Sequence, residues 1–233
     1  MRKKKHHKTL IHAHPGKIYP MEGDPRDMRA WLDDQLEDKP LVIELGMGSG
    51  DFLVYQAKNY PEKFFLGIEM KADRVYRAFQ KAETEELNNI AFAHINIQEL
   101  ENYHLPQAAQ IYALFSDPWP KKRHTGRRLS SPEFLRLYEN ILIPTGHLEI
   151  KTDDGHFYSY SLASLHRSGW EIIEKNPDKQ TPLAQQTKFE KKWRSLEKPI
   201  GYIKTSPPKQ KKVDLPRVYF TSHSDTLLFA KCM

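Results

Sequence analysis

The stretch SDPWPKKRHTGRR, residues 116–128, places an acid directly before a rigid aromatic turn and a run of cations. Asp117 follows the apolar run QIYALF, so it is predicted to lie at the carboxyl end of a buried strand, where α/β proteins bind ligands. Trp119 stands between two prolines that stiffen the turn, and its ring offers a stacking face. An acid beside an aromatic face and a basic loop predicts chemistry on a nucleic acid.

The basic run contains five fixed cations and one histidine, which are Lys121, Lys122, Arg123, His124, Arg127 and Arg128. Lys and Arg side chains in such density suit contacts with phosphates, which position a nucleic acid without reading its sequence. The competing interpretation is an ordinary Asp-Pro turn followed by a solvated charge run. The position of the run, directly after the aromatic turn, favours RNA contact.

A second candidate site is the glycine-rich loop in VIELGMGSGDF, which follows a predicted strand and precedes a predicted helix. Gly46, Gly48 and Gly50 would let the backbone approach a ligand, but their spacing departs from the dinucleotide fingerprint G-x-G-x-x-G. Glu44 and Asp51 would repel a pyrophosphate and attract a ligand that carries an amino group and a sulfonium. The loop therefore predicts S-adenosylmethionine rather than a nicotinamide cofactor.

Two further positions complete the predicted donor site. Glu69 ends the second strand about 20 residues after the loop, where an acid accepts hydrogen bonds from both ribose hydroxyls. The third strand ends in HINIQEL, so Asn96 stands where an acid would be expected to accept from the adenine amino group. The amide oxygen of Asn96 can still accept that hydrogen bond without a negative charge.

The elements that must carry these residues are predicted from the hydrophobic pattern. Continuous apolar runs predict buried strands at 41–45, 64–69, 90–95 and 110–115, and a further strand is predicted at 146–154. Apolar residues repeat at helical spacing in 71–87, and Ser131 with Pro132 predicts the start of another helix. This alternation of strands and helices predicts a doubly wound, mostly parallel α/β sheet.

The end of the chain departs from this alternation. The segments 170–175 and 199–205 are predicted to form a late antiparallel strand pair, joined by a long polar loop over 176–198. We expect three parts: a basic, flexible N-terminal arm over 1–25, a catalytic domain over 26–205 and a C-terminal extension over 206–233.

Composition limits the classes of function. Lys and Arg number 36 against 30 Asp and Glu, a net charge of +6 that favours an anionic partner. The single cysteine, Cys232, excludes a disulfide within the chain and predicts a reducing, cytoplasmic compartment. We expect neither a signal peptide nor a membrane span, because no apolar run is long enough. We also expect no metal, because His6, His7, His12 and His14 lack the acids and cysteines of a metal site.

Five segments together closely resemble the tRNA (guanine-N7-)-methyltransferase family, in order and with natural spacing over residues 40–205. They are VIELGMGSGDF, FLGIE, SDPWPKKRHTGRRL, LEIKTDD and TKFEKKW. The resemblance implies a seven-stranded, Rossmann-like sheet of the class I methyltransferase type, with S-adenosylmethionine as the methyl donor. It also implies that the acceptor is a guanosine in the variable loop of tRNA.

The resemblance further assigns site residues by position. Donor binding falls on Glu44, Glu69, Asn96 and Asp117, and Asn96 replaces the Asp that is usual in the family. Substrate binding falls on Lys121, Asp153, Thr187, Lys188, Phe189 and Glu190. RNA contact falls on the loop from Arg123 to Arg128.

Methylation of guanine N7 needs little proton chemistry, because the N7 lone pair is available without removal of a proton. A fixed carboxylate near the ring, Asp117 or Asp153, would stabilise the positive charge that develops on guanine, and we expect Asp117 to be the catalytic residue. A carboxylate can also accept from guanine N1–H and the exocyclic amine, which selects guanine over adenine. Trp119 or Phe189 could stack on an extruded base.

The sequence also allows other functions. The D-P-W-P turn is similar to the acid-Pro-Pro-aromatic turn of enzymes that methylate an exocyclic amine, although its Trp and the basic run fit that pattern poorly. A degenerate methyltransferase fold could bind tRNA without turnover, and a nicotinamide oxidoreductase is disfavoured by the glycine spacing. A monomer and a homodimer are equally compatible with the sequence.

Overall fold

The computed structural model describes residues 9–180 and 187–209, which together form an eight-stranded sheet flanked by helices. The strands are β1 (Ile18–Tyr19), β2 (Leu41–Leu45), β3 (Phe64–Ile68), β4 (Ile90–Ala93), β5 (Ala108–Leu114), β6 (Leu142–Thr152), β7 (Glu171–Asn176) and β8 (Gly201–Ser206). Their spatial order is β1-β4-β3-β2-β5-β6-β8-β7. In this spatial order, all neighbouring strands from β1 through β6 are parallel to each other, whereas β8 is antiparallel to both β6 and β7.

The central parallel strands are covered on both faces because their sequences are apolar on both faces. Every residue of β2, β3 and β4 is buried, as expected for a sheet between two layers of helices. One hydrophobic core contains Phe64 and Tyr138, and the core on the opposite face contains Phe65 and Phe92. The predicted doubly wound, mostly parallel α/β fold is therefore confirmed.

The helices that connect the strands are α1 (Met28–Leu36), α2 (Asp51–Asn59), α3 (Ala72–Thr84), α4 (Pro132–Ile141), α5 (Gly155–Arg167) and α6 (Lys188–Ser195). Short 3-10 helices follow β4 and β5, at Ile97–Asn102 and Lys122–Arg127. α3 buries Val75 and Phe79, as its helical spacing predicts. α4 also begins as predicted, because the Ser131 side chain accepts a hydrogen bond from the Phe134 N–H and Pro132 occupies the first turn.

The segment 176–198 contains a helix where the sequence predicted a long polar loop. α6 begins after Thr187, whose hydroxyl accepts a hydrogen bond from the Glu190 N–H at 3.0 Å. The residues TKFE thus form one half of a capping box, a local signal that marks the start of a helix. The strands on either side are confirmed as the late antiparallel pair, β7 and β8.

The sheet has one strand more than the seven predicted. Ile18 and Tyr19, which the sequence pattern placed in the N-terminal arm, pair in parallel with Phe92 and Ala93 of β4. Ile11 and Ile18 are also fully buried. Residues before the predicted domain boundary at position 26 therefore belong to the core.

Parts of the chain carry predictions that lie outside the described residues. These parts are 1–8, 181–186 and 210–233, and they include His6, His7, Cys232 and most of the predicted C-terminal extension. Within the described ranges, no helix combines the length and the hydropathy that crossing a membrane requires.

Candidate active site

A cavity of about 640 Å³ lies where β2, β3, β4 and β5 end, and the segments that follow these strands line it. The carboxyl ends of parallel strands meet at one edge of the sheet, which is where α/β folds bind ligands. The cavity brings together these residues singled out in the sequence: Glu44, Gly46, Gly48, Glu69, Asn96, Asp117, Trp119, Arg127, Thr187 and Phe189. Residues predicted for donor, substrate and RNA therefore share one cavity.

Glu44 supplies a buried carboxylate to this cavity. Its side chain is 3% exposed, and no hydrogen-bond partner for its Oε2 atom occurs in the described part of the chain. Burial raises the pKa of Glu44 well above its usual range, and the negative charges of Asp51 and Glu69 raise this pKa further. A buried, unsatisfied acid among other acids suits a cationic ligand, because such a ligand relieves both the repulsion and the missing hydrogen bond.

The three glycines of the loop have two different roles, access for a ligand and close packing of helices. Gly46 and Gly48 have φ angles of +74° and +59°, and a Cβ on Gly48 would meet no atom within 4 Å. The backbone at Gly48 is thus accessible from the cavity. A Cβ on Gly50 would lie 2.5 Å from the Ala78 Cβ, so Gly50 allows α2 to pack closely against α3. Gly50, predicted to bind the donor, does not line the cavity.

The side chains of Glu69 and Asn96 are both oriented by local hydrogen bonds. Glu69 Oε1 accepts from the Lys71 N–H at 2.9 Å, and Arg74 lies 3.5 Å from Oε2. Asn96 Oδ1 accepts from the Gln98 N–H at 3.1 Å, while Asn96 Nδ2 donates to Glu99 Oε1 at 3.0 Å. Asn96 therefore caps the following 3-10 helix at the wall of the cavity.

The turn that carries Asp117 has an unusual backbone. Phe115 and Trp119, on either side of the exposed Asp117, have φ angles of +53° and +44°. Residues other than glycine rarely adopt this left-handed backbone conformation. It costs of order 1–3 kcal/mol and persists only where neighbouring contacts enforce it. One such contact is the Arg128 guanidinium, which donates to the Trp119 carbonyl from Nη2 at 3.1 Å.

The basic loop contains both exposed and structural cations. Lys122, Arg123 and Arg127 are exposed, and the Arg127 guanidinium lies 5.1 Å from the centre of the Trp119 ring. Arg128 is half-buried and lies 4.2 Å above the Tyr160 ring. With Lys121, which is also exposed, the loop presents four cations to solvent, while Arg128 fixes the turn.

α6 brings a second aromatic side chain to the cavity. Phe189 is 49% exposed, and its ring is stacked on that of Phe115 at a centroid distance of 6.3 Å. Glu190 has no exposed surface, and its Oε2 atom accepts from Lys151 Nζ at 3.1 Å. Glu190 therefore faces the sheet, while Phe189 faces the cavity.

Not every predicted site residue reaches the cavity. Lys121, Asp153 and Glu190 are absent from its lining. Lys121 is exposed on the loop and Asp153 is half-buried after β6, and Lys188 is the first residue of α6. Among the described residues, no cluster of three or more His, Cys, Asp or Glu is arranged to hold a metal ion.

The cavity is also lined by cations that sequence reasoning missed, namely Lys71, Arg74, Arg77 and Lys192. Lys192 follows Phe189 by three residues, so a prediction of α6 from its capping box would have placed both side chains on one face. Lys151 was missed as well. Its partner Glu190 is 39 residues away in the chain, so no local pattern links them.

The chain matches known methyltransferases over most of its length. Residues 38–202 match the model of a family described as "Putative methyltransferase". A tRNA (guanine-N(7)-)-methyltransferase of Pediococcus pentosaceus is 34% identical over 202 residues, which are 84% of this chain and 93% of that protein. One of Geobacillus thermodenitrificans is 38% identical over 172 residues, which are 73% of this chain and 78% of that protein. The chain belongs to the tRNA (guanine-N7-)-methyltransferase family.

Solved structures with the same fold are also methyltransferases. The 16S rRNA methyltransferase KamB superposes with a TM-score of 0.61 at 14% identity, over 77% of this chain and 94% of that chain. The antibiotic-resistance methyltransferase Kmr superposes with a TM-score of 0.57 at 15% identity, over 77% of this chain and 92% of that chain. At these identities the similarity concerns the fold alone.

The tRNA (guanine-N7-)-methyltransferase family uses S-adenosylmethionine, and the geometry of the cavity fits this cofactor. The unsatisfied Glu44 oxygen offers an acceptor to a cationic group. The backbone at Gly48 leaves room for close approach, and the Glu69 carboxylate stands at the next strand end. These are the residues that would hold the cofactor.

Proposed function

We propose that this chain transfers a methyl group from S-adenosylmethionine to N7 of a guanosine in the variable loop of tRNA. The observation that carries the proposal is that one cavity brings carboxylates next to Asp117, Phe189 and an exposed basic loop. The tRNA (guanine-N(7)-)-methyltransferases that resemble the chain support N7 of guanine in tRNA as the acceptor.

The donor end of the cavity, formed by the ends of β2, β3 and β4, would bind S-adenosylmethionine by charge and by hydrogen bonds. S-adenosylmethionine, when bound, supplies an electrophilic methyl group on a sulfonium. Glu44 offers negative charge to its cationic part, and Glu69 accepts from the ribose hydroxyls. Asp51 also lines the cavity, but its carboxylate is paired with Lys81 at 2.7 Å. Asn96 Oδ1 already accepts from Gln98, but its second lone pair is available to the adenine amino group.

The acceptor end of the cavity, which carries Phe189 and Asp117, would orient the guanine base and place a carboxylate near it. Phe189 lines the cavity but is 49% exposed, so a base stacked on its ring would cover apolar surface and exclude water, a contact worth about 1–3 kcal/mol. Asp117 lies on a turn with two left-handed residues, where its carboxylate would face the charge that develops on guanine. No general base is needed, because N7 carries no proton.

The RNA end of the site is the loop that follows Trp119. Lys122, Arg123 and Arg127 are exposed and suit contacts with tRNA phosphates. Arg128 acts differently: it holds the Trp119 carbonyl and so keeps the turn with Asp117 in place. The substrate-binding roles of Lys121, Asp153, Thr187, Lys188 and Glu190 stay predictions.

The proposal is tested by methyl transfer from labelled S-adenosylmethionine to an unmodified tRNA transcript, followed by nucleoside digestion and mass analysis. We expect 7-methylguanosine, and its loss when the variable-loop guanosine is replaced by adenosine. Another methylated nucleoside would retain the cofactor but overturn the acceptor. Tight binding of tRNA with no methylated product would identify a binding module instead.

A further inference from the structure

We propose that Lys151 is a positioning residue that holds α6 on the sheet, so that Phe189 faces the reacting base. Its ammonium and the Glu190 carboxylate form an ion pair with an Nζ–Oε2 distance of 3.1 Å. The two side chains are 10% and 0% exposed. The proposal rests on the function proposed above, because the position of Phe189 matters only if a base is bound there.

Lys151 joins the two halves of the acceptor site directly. Its side chain reaches Glu190 of α6, while its backbone carbonyl accepts from the Phe115 N–H at 2.8 Å. Phe115 begins the turn that carries Asp117, and its ring is stacked on that of Phe189. One residue of β6 thus fixes both the turn and the helix, and thereby the place of Phe189 relative to Asp117.

α6 depends on polar anchors because its sequence gives it little apolar support. At its C-terminal end, Arg194 donates to the Asp178 carboxylate and to the Lys179 carbonyl. It has eight residues, and isolated helices below about 12–15 residues are marginal in water. Among residues 189–195, whose side chains the structure describes, Glu190 alone is buried. The helix is therefore held by charge contacts near both ends rather than by an apolar face, and the Lys151–Glu190 pair is the one next to Phe189.

An ion pair is an unusual choice if stability alone is required. Two well-packed apolar side chains in place of a buried pair are often equally or more stabilising, whereas loss of one partner leaves an uncompensated buried charge. What a buried pair adds is specificity of partner, since a buried ammonium is compensated only where it meets a carboxylate. The Lys151–Glu190 pair accordingly fixes which side of the first turn of α6 faces the sheet, and with it the place of Phe189.

The test compares Lys151→Met, Lys151→Arg and the double variant Lys151→Met/Glu190→Met with the wild type. Lys204→Met is the matched control, because Lys204 pairs with Glu149 in the same sheet, at 3.8 Å, rather than with a residue of α6. Three quantities are measured: the single-turnover rate with both substrates saturating, the Kd for S-adenosylmethionine, and hydrogen exchange of the amides in 189–195 and in β2.

We expect Lys151→Met to lower the single-turnover rate by about tenfold or more, since small misplacements of a reacting group are costly. The Kd for the donor should change less than about threefold, because β2 and β3 are untouched. Exchange should accelerate in 189–195 but not in β2. Lys151→Arg should recover most of the rate, and Lys204→Met should retain it.

The double variant separates positioning from folding. It lacks the uncompensated charge, so we expect it to unfold at the temperature of the wild type and still react slowly. Wild-type turnover and exchange in Lys151→Met, or full turnover in the double variant, would overturn the proposal. If the wild type itself fails to methylate tRNA, the proposed function fails, while exchange in 189–195 still decides whether Lys151 holds α6.

Discussion

The two ends of the cavity are built in different ways. The donor end consists of strand ends and the loops directly after them, and its key acid, Glu44, lies inside β2 with neighbours buried on both sides. The acceptor end consists of an exposed acid on a left-handed turn and a half-exposed ring on a short helix. Its geometry depends on the contacts Arg128–Trp119 and Lys151–Glu190.

This difference implies that the two ends respond differently to mutation. The donor end is part of the stable sheet, so substitutions there should alter the affinity for S-adenosylmethionine without altering the shape of the cavity. The acceptor end is held by a few side-chain contacts next to strained backbone, so substitutions there should lower the rate because they misplace the reacting groups. The following predictions test this division, beginning with the largest effect.

Asp117→Ala should lower the rate of methyl transfer by about 10²–10³-fold, the size expected for loss of one preorganised electrostatic group. The tRNA Kd should change little, because the exposed cations of the loop remain. Single-turnover kinetics and filter binding measure the two quantities, and Asp117→Asn is the isosteric control. An unchanged rate in Asp117→Ala would remove Asp117 from the mechanism.

Glu44→Gln should weaken donor binding by about 10- to 100-fold, the value of a hydrogen bond to a charged group. Because burial raises the pKa of Glu44, wild-type affinity should fall as the pH drops through that raised pKa, at a higher pH than an exposed Glu would give. The Gln variant should bind weakly at every pH. Calorimetric titration across pH measures both effects, and a parallel pH profile in the variant would contradict the assignment.

The same substitution should stabilise the protein without its cofactor. A raised pKa means that folding favours protonated Glu44, so the contribution of this group to stability is lost as the pH rises through the folded-state pKa. Glu44→Gln should therefore raise the Tm of the free protein at neutral pH while lowering donor affinity. A lower Tm would show that another group satisfies the carboxylate.

A comparison of Lys122→Ala with Arg128→Ala should distinguish a residue that contacts RNA from a residue that holds the loop in place. Lys122→Ala should reduce the slope of log K against log salt by about 0.7–0.9 and leave the saturated rate unchanged, because it removes one phosphate contact. Arg128→Ala should also lower that rate, since the Trp119 carbonyl loses its guanidinium donor. Equal behaviour of both variants would contradict the structural role of Arg128.

Asn96→Asp should have the smallest effect, within about threefold in donor Kd, because a new carboxylate would face Glu99, which now accepts from the Asn96 amide. The double variant Asn96→Asp/Glu99→Gln should bind the donor more tightly than either single variant. If Asn96→Asp alone improves binding by about tenfold, Glu99 does not oppose the charge at position 96.

The sequence predicted the donor end better than the acceptor end for a physical reason. The run LVIEL coincides with β2, because continuous apolar residues and a glycine loop are local signals of a buried strand and its ligand turn. α6 lies in a polar segment where only its capping box is local evidence. The pairing of Lys151 with Glu190 spans 39 residues, and only the folded sheet brings such residues together.

The two-residue strand β1 has a consequence for how the chain can be shortened. Ile18 and Tyr19 cover the outer edge of β4, whose backbone would otherwise face water. Uncovered strand edges pair with edges of other molecules, and very short edge strands are one way in which proteins prevent this. A chain trimmed to begin at residue 26 should therefore aggregate, although it would retain every residue of the cavity.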